Sequence, residues 1–177
     1  MKNTKYVAAG GMITALSVVL MFLTGLFPSA TYALPAIAGV FLIVAVIEMG
    51  YVWAVSIYIA VSLLGFFIAA DKEAALLYVL FFGIYPIAKG AIEGMKSRMV
   101  MWAAKLLIFN AMILLETYIA SVVLMIPFET ITALGEFAPY VLLFFGNIIF
   151  IVYDIGLSRV TATYMSRLRG KIRRYFE

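Results

Sequence analysis

From Tyr6 to Ile47 the chain carries no charged residue, and the strongest breaks in that apolar run are Pro28 and Pro35. A helix needs roughly 20 residues to cross ~30 Å of hydrocarbon at about 1.5 Å per residue. The run is too long for one crossing, so it predicts two, at about 7–27 and 34–48, joined by the proline-bounded turn FPSATYALP. Glu48 and Gly50 then punctuate a stretch that would otherwise reach Ala70 as one helix of more than about 50 Å. A tight turn there predicts a third span at about 51–70. DKEAALLYVLFFGIYPIAKGAIE supplies a fourth at about 74–93, and a fifth runs from about 103 to 126 and ends at Pro127. The sixth, about 138–158, opens with Pro139, which suits a first helical turn.

The fourth span is not a plain anchor. Pro86 cannot donate to the carbonyl of Phe82 and clashes with it, so a kink is expected there, with Gly83 and Gly90 permitting close neighbours. Tyr78, Phe81, Phe82 and Tyr85 form an aromatic belt whose rings and hydroxyls suit a flat heterocyclic ligand. Tyrosines near a membrane interface are also ordinary anchors.

Composition fixes the solvent. Of 177 residues, 66% are hydrophobic and 12% charged, more apolar side chain than a soluble core of this size can hide. The fold expected is therefore all-α and embedded in a lipid bilayer. The net charge of +4 does not point to nucleic acid, because the basic residues cluster at span ends rather than along a groove. With an inside amino terminus, six spans place Lys2, Lys5, Lys96, Arg98 and the basic tail of 159–177 in the cytoplasm, and leave Lys72 alone outside. Five spans would export the tail, so the positive-inside bias favours six, with both termini cytoplasmic. The apolar run at the start is longer than the roughly 7–15 residues of a signal peptide, so it is read as a retained helix despite the cleavage-like Tyr32-Ala33. No linker or repeat divides residues 1–177, which are read as a single membrane domain.

Cysteine and histidine are both absent. Disulfides, thiolate metal sites and histidine-based triads or zinc chemistry are thereby excluded. An enzyme would have only carboxylates and lysines to work with, so no enzymatic activity, metal or cofactor is expected.

Polar groups inside a span are costly and each invites two readings. Asn110, Glu116, Thr117 and Ser121 interrupt the fifth span, with Glu116 near mid-depth. Glu116 is either a paired or protonated residue joining helices, or a counter-ion for a bound ligand. On the sixth span, Tyr140, Phe144, Asn147, Ile151 and Asp154 fall at i, i+4, i+7, i+11 and i+14, one helical face. That stripe reads as a pocket wall; amides serving as interhelical glue are the alternative. Lys89 and Asp154 lie at similar depth near the inner ends of spans four and six, which predicts a structural ion pair. Snorkelling of Lys89 and pairing with Glu93 or Arg159 compete with it. On the first span, Ala8, Gly11, Thr14 and Ala15 offer a small-residue surface for close approach of another helix, either in a partner or in this chain.

Six spans in under 180 residues, with GMITAL (11–16) on the first, resemble the substrate-binding S component of energy-coupling factor (ECF) transporters. GMITAL is similar to that family's AxxxA-type motif, with glycine at its first position; ALPAIAGVFLIVAVIEMG and the fourth-span segment are also similar to stretches of bacterial S components. The resemblance implies a multi-pass protein of a bacterial cell membrane that captures a vitamin or similar micronutrient. A transmembrane coupling protein and two cytoplasmic ATPases would energise it; this chain has no GxxxxGK[ST] phosphate loop of its own. Carried onto these residues, the lid is Pro28, Tyr32 and Pro35 with the loop between, and the coupling contact is Gly11 and Ala15. The pocket involves Tyr78, Phe82, Glu116, Asn147 and the neighbouring Tyr140 and Phe144. An acid among aromatics favours a cationic or amine-bearing flat ligand. The competing class is a non-transport scaffold of the kind found in cell-wall elongation complexes, which needs neither pocket nor ATPases.

Overall fold

The computed structural model describes residues 2–125 and 137–170. Pro127 and the tail residues Lys171, Arg173 and Arg174 lie outside them. The described residues form helices α1 (Lys2–Leu23), α2 (Ala33–Met49), α3 (Tyr51–Ile68), α4 (Lys72–Leu77), α5 (Ile84–Glu93), α6 (Arg98–Tyr118) and α7 (Ala138–Thr163). A 3₁₀ turn, Pro28–Ala30, sits between α1 and α2, and wide π turns join α4 to α5 and extend α6 and α7.

Among the described residues, five helical runs are long and apolar enough to cross a membrane: Asn3–Leu23, Tyr51–Ile68, Lys72–Glu93, Arg98–Val123 and Ala138–Arg167. The sixth apolar helix, α2, has 17 residues, about 25 Å at 1.5 Å per residue, a little short of the hydrocarbon core. Gly50 makes the predicted turn between α2 and α3 at φ 89°, a left-handed conformation that glycine adopts without penalty. Two runs exceed their expected lengths. Ser97 caps α6 through the Val100 amide, so that helix starts at Arg98. α7 passes Arg159 because Leu157 and Tyr164, two turns apart, are both buried on one side of it.

The run from Lys72 to Glu93 is the axis of the bundle. Of its most apolar stretch 61% is buried, against 17–22% in the other four runs. One core gathers Met21, Leu42, Ile57, Val61, Ala75 and Tyr78 from α1, α2, α3, α4 and the turn after it. A second places Phe81 and Tyr85 among Ile43, Phe109, Phe150 and Leu157 of α2, α6 and α7. The rings of Phe109 and Phe150 stack at 4.6 Å, and Phe81 packs edge-on to each. The aromatic belt read as a ligand wall is thus mostly core.

The interruptions of that helix have specific partners. The π turn, Tyr78–Phe82, lets the Gly83 amide donate to Tyr78 at 2.8 Å, one residue farther back than in an α-helix. The Val79 carbonyl, which Gly83 would otherwise serve, accepts instead from the Tyr58 hydroxyl of α3 at 2.6 Å. A Cβ at Gly83 would come within 2.6 Å of the Tyr58 ring, so only glycine admits that side chain. Pro86 gives no proton to the Phe82 carbonyl, and that oxygen lies against Gly39 of α2, where a Cβ would stand 2.1 Å from it. Proline and two glycines together let the α2 backbone and the Tyr58 side chain of α3 approach this helix closely at mid-bundle.

Candidate functional site

Two polar clusters lie at opposite ends of the Lys72–Glu93 run. At its C-terminal end, Lys89 and Glu93 share a helical face and pair at 2.6 Å. The Lys89 ammonium also donates to Asp154 Oδ1 and, at 3.3 Å, to the Asp154 carbonyl. Lys105 of α6 bridges the same two acids, at 2.8 Å to Glu93 and 2.8 Å to Asp154. The Tyr85 hydroxyl donates to Asp154 at 2.6 Å. Two cations and two anions sum to zero, and the side chains of Lys89, Lys105 and Asp154 are at most 6% exposed. Charge-assisted hydrogen bonds on both Asp154 oxygens make this a lock between α5, α6 and α7 rather than a site awaiting a ligand. Sequence reasoning paired Lys89 with Asp154 but did not single out Lys105 as a partner, and it placed Tyr85 only in the aromatic belt. The available signal was a lysine well inside an apolar run, at the depth of Lys89.

At the other end, the loop after α1 is tied to the start of α4. Thr31 donates to Asp71 at 2.7 Å and Tyr32 to Glu73 at 2.9 Å, while Asp71 caps α4 through the Ala74 amide at 3.0 Å. Desolvation and the neighbouring Glu73 carboxylate hold the Tyr32 hydroxyl above its ordinary titration range. Pro28 begins the 3₁₀ turn of this loop, and Pro35 lies buried in the first turn of α2, where its missing N–H leaves no helical bond unmade. Lys72 turns away and donates to the last carbonyls of α3, Phe66 at 2.7 Å and Ala69 at 3.0 Å. Among the described residues, this end therefore holds acids without a facing cation. Glu116 on α6, 8% exposed, makes no ion pair among the described residues, and Glu73 and the Tyr32 hydroxyl lie within electrostatic range of it.

The remaining predicted pocket residues do not converge. Tyr140 and Phe144 are 72% and 64% exposed on α7, on the outside of the bundle. A stripe at helical spacing identifies a face but not its direction, and in lipid an outward aromatic face carries no penalty. Asn147 forms a reciprocal amide pair with Asn110, both bonds at 2.9 Å, and each amide also donates to the carbonyl four residues earlier. It joins α6 to α7 and has no donor left over for a ligand. Phe82 is half-buried against Phe81 and Tyr153. Tyr78 is buried in the first core, and its hydroxyl, like that of Tyr153, has no hydrogen-bond partner among the described residues. Orphaned buried hydroxyls are rare enough to need an explanation.

Neither of two described cavities is lined by these six residues. One, of about 430 Å³, lies between α6 and α7 beside the Lys105–Asp154 pair. The other, about 250 Å³ and apolar, lies between α2 and α7. On α1, Gly10 faces Ile57, whereas Gly11 and Ala15 are exposed, and a Cβ at Gly11 would meet nothing within 4 Å. The small-residue face thus looks out of the bundle.

Comparison of the chain with known protein families, with curated proteins and with solved structures returns no match.

Proposed function

We propose that this chain is the substrate-capturing membrane subunit of an ECF-type micronutrient transporter, with six spans and both termini in the cytoplasm. The observation that carries the reading is Glu116. A buried carboxylate in a membrane helix with no counter-charge among the described residues is a functional group by default. Here it lies near a loop held by two side-chain hydrogen bonds, Thr31–Asp71 and Tyr32–Glu73. A cationic or amine-bearing ligand entering from that side would supply the missing charge. Release of the two loop contacts would open the way. The exposed face of Ala8, Gly11 and Ala15 is free for a coupling subunit, which fits a sequence with no GxxxxGK[ST] phosphate loop.

Purified protein tested by thermal shift against a panel of vitamins and amines checks the reading. A cationic or amine-bearing compound is expected to raise the unfolding midpoint, and Glu116→Gln to abolish that rise. Stabilisation by anionic compounds alone, with Glu116→Gln binding normally, would overturn the assignment of Glu116. Co-purification with a coupling protein and ATPases is expected; recovery with cell-wall elongation proteins instead would replace transport by the scaffold reading.

A further inference from the structure

The larger cavity carries an inference that is independent of the transport reading. It lies between the start of α6 and the last part of α7, and its lining includes Arg98, Trp102, Lys105, Asp154, Ser158 and Arg159. Its charge follows from simple addition. Lys105 and Asp154 are occupied with each other, and with Lys89 and Glu93 they sum to zero. The Ser158 hydroxyl donates to the Asp154 carbonyl at 3.1 Å. What remains is Arg98 and Arg159, both exposed and neither with a hydrogen bond or ion pair among the described residues. Two unneutralised guanidiniums on facing helices add a charge of +2 beside that neutral cluster.

Its surroundings are those of a membrane boundary. Trp102 lies one turn inside α6 from Arg98, with the Lys105 ammonium 5.1 Å from its ring, the place where an indole with one wet edge is favoured. Beyond the arginines, α6 and α7 turn apolar side chains outward. Leu107 is 73% exposed and Val152 65%, a surface that hydrocarbon must cover. Paired cations above an apolar helical face match one kind of occupant: a phosphodiester headgroup with acyl chains below it. A zwitterionic lipid carries its own ammonium and gains less from a second cation. Guanidinium forks bind phosphate oxygens two at a time, which favours arginine over lysine in such a place.

We propose that the groove between α6 and α7 binds an anionic phospholipid of the phosphatidylglycerol type, with Arg98 and Arg159 on the phosphate and the acyl chains lying along α6 and α7. The headgroup would bridge two helices that the Lys105–Asp154 pair already joins here, so the lipid acts as an external clasp on that lock.

Native mass spectrometry of the full chain, titrated with phosphatidylglycerol or phosphatidylcholine, tests the proposal alongside thermal unfolding in the same mixed micelles. Phosphatidylglycerol is expected to bind about thirtyfold more tightly than phosphatidylcholine, roughly fivefold from each arginine, and to raise the unfolding midpoint. Arg98→Gln/Arg159→Gln should erase that preference while unfolding in lipid-free detergent as the parent does. Lys96→Gln, which removes a cation at the same end but outside the cavity, should keep it. Equal binding of the two lipids, or a preference that survives the double substitution or falls equally in Lys96→Gln, would overturn the site. Stabilisation by inorganic phosphate alone to the same extent would also overturn it, making the groove a soluble-anion site.

Discussion

Asp154 and Glu116 are both carboxylates buried in apolar helices, 2% and 8% exposed, yet they keep opposite company. Asp154 accepts from Lys89, Lys105 and Tyr85, and Glu93 balances the remaining charge. Glu116 pairs with no cation among the described residues, and the charge that acts on it is that of another acid, Glu73. Burying a charge costs several kcal/mol unless pairing and hydrogen bonds offset it. The Asp154 end meets that condition within the chain itself, so nothing outside is needed to explain it. The Glu116 end does not, and whatever offsets that charge must be a proton or a ligand. Equal burial with unequal partnership separates a structural acid from a candidate functional one.

Breaking the first half of the contrast should give the largest effect. Asp154→Asn keeps the shape and removes the charge, leaving Lys89 and Lys105 with Glu93 alone. Removing one partner from a buried pair costs about 3–5 kcal/mol. A large fall in the thermal unfolding midpoint in detergent is expected, with α7 separating from α5 before the rest of the bundle opens. A shift no greater than that of a surface substitution would mean that the lysines reach water and that the cluster is not a lock.

How much of this is legible in the sequence depends on which physical signal each feature leaves. Proline, glycine and charge leave strong local ones. The turn at Gly50, the irregular backbone before Pro86 and the common depth of Lys89 and Asp154 all follow from spacing and helix rise. Direction leaves almost none. In water, an apolar face points inward; in lipid, apolar side chains suit either direction, so Tyr140 and Phe144 could be placed on a face but not turned the right way. The same loss of contrast conceals which helix is central. The run from Lys72 to Glu93 reads as one wall among several, and only packing shows that its aromatic residues fill the core. Lys105 was hidden for a related reason: a long side chain near a helix end snorkels in most proteins, and its partner lies 49 residues away on α7.

A neutral polar contact between the same two helices calibrates the charged one. Asn110 and Asn147 exchange two hydrogen bonds at 2.9 Å. Asn147→Leu removes both, while the Asn110 amide keeps its bond to the Leu106 carbonyl at 2.7 Å. Polar contacts between membrane helices contribute about 0.6–1.7 kcal/mol, well below the cost expected for Asp154→Asn. The double variant Asn110→Leu/Asn147→Leu should lose less than the sum of the two single changes, since no unpaired amide remains. Strict additivity would show that the two amides act independently, each through its own helix.

The smallest effect is expected where the sequence looks most perturbed. Glu116→Gln makes the same change as Asp154→Asn, a carboxylate to its amide, but at a site with no cation to abandon. The desolvation cost of a charge disappears, and the amide finds the Thr117 hydroxyl or the helix backbone as readily as the acid does. Stability should therefore stay within about 1 kcal/mol of the parent, or rise, as when an uncompensated buried charge is neutralised. The two isosteric substitutions differ only in the company each acid keeps, so their midpoints in the same detergent measure that difference directly. A fall for Glu116→Gln approaching that for Asp154→Asn would reveal a structural partner, and Glu116 would then join Asp154 as part of the scaffold. If stability is unchanged and ligand response is lost, the charge is serving something other than the fold.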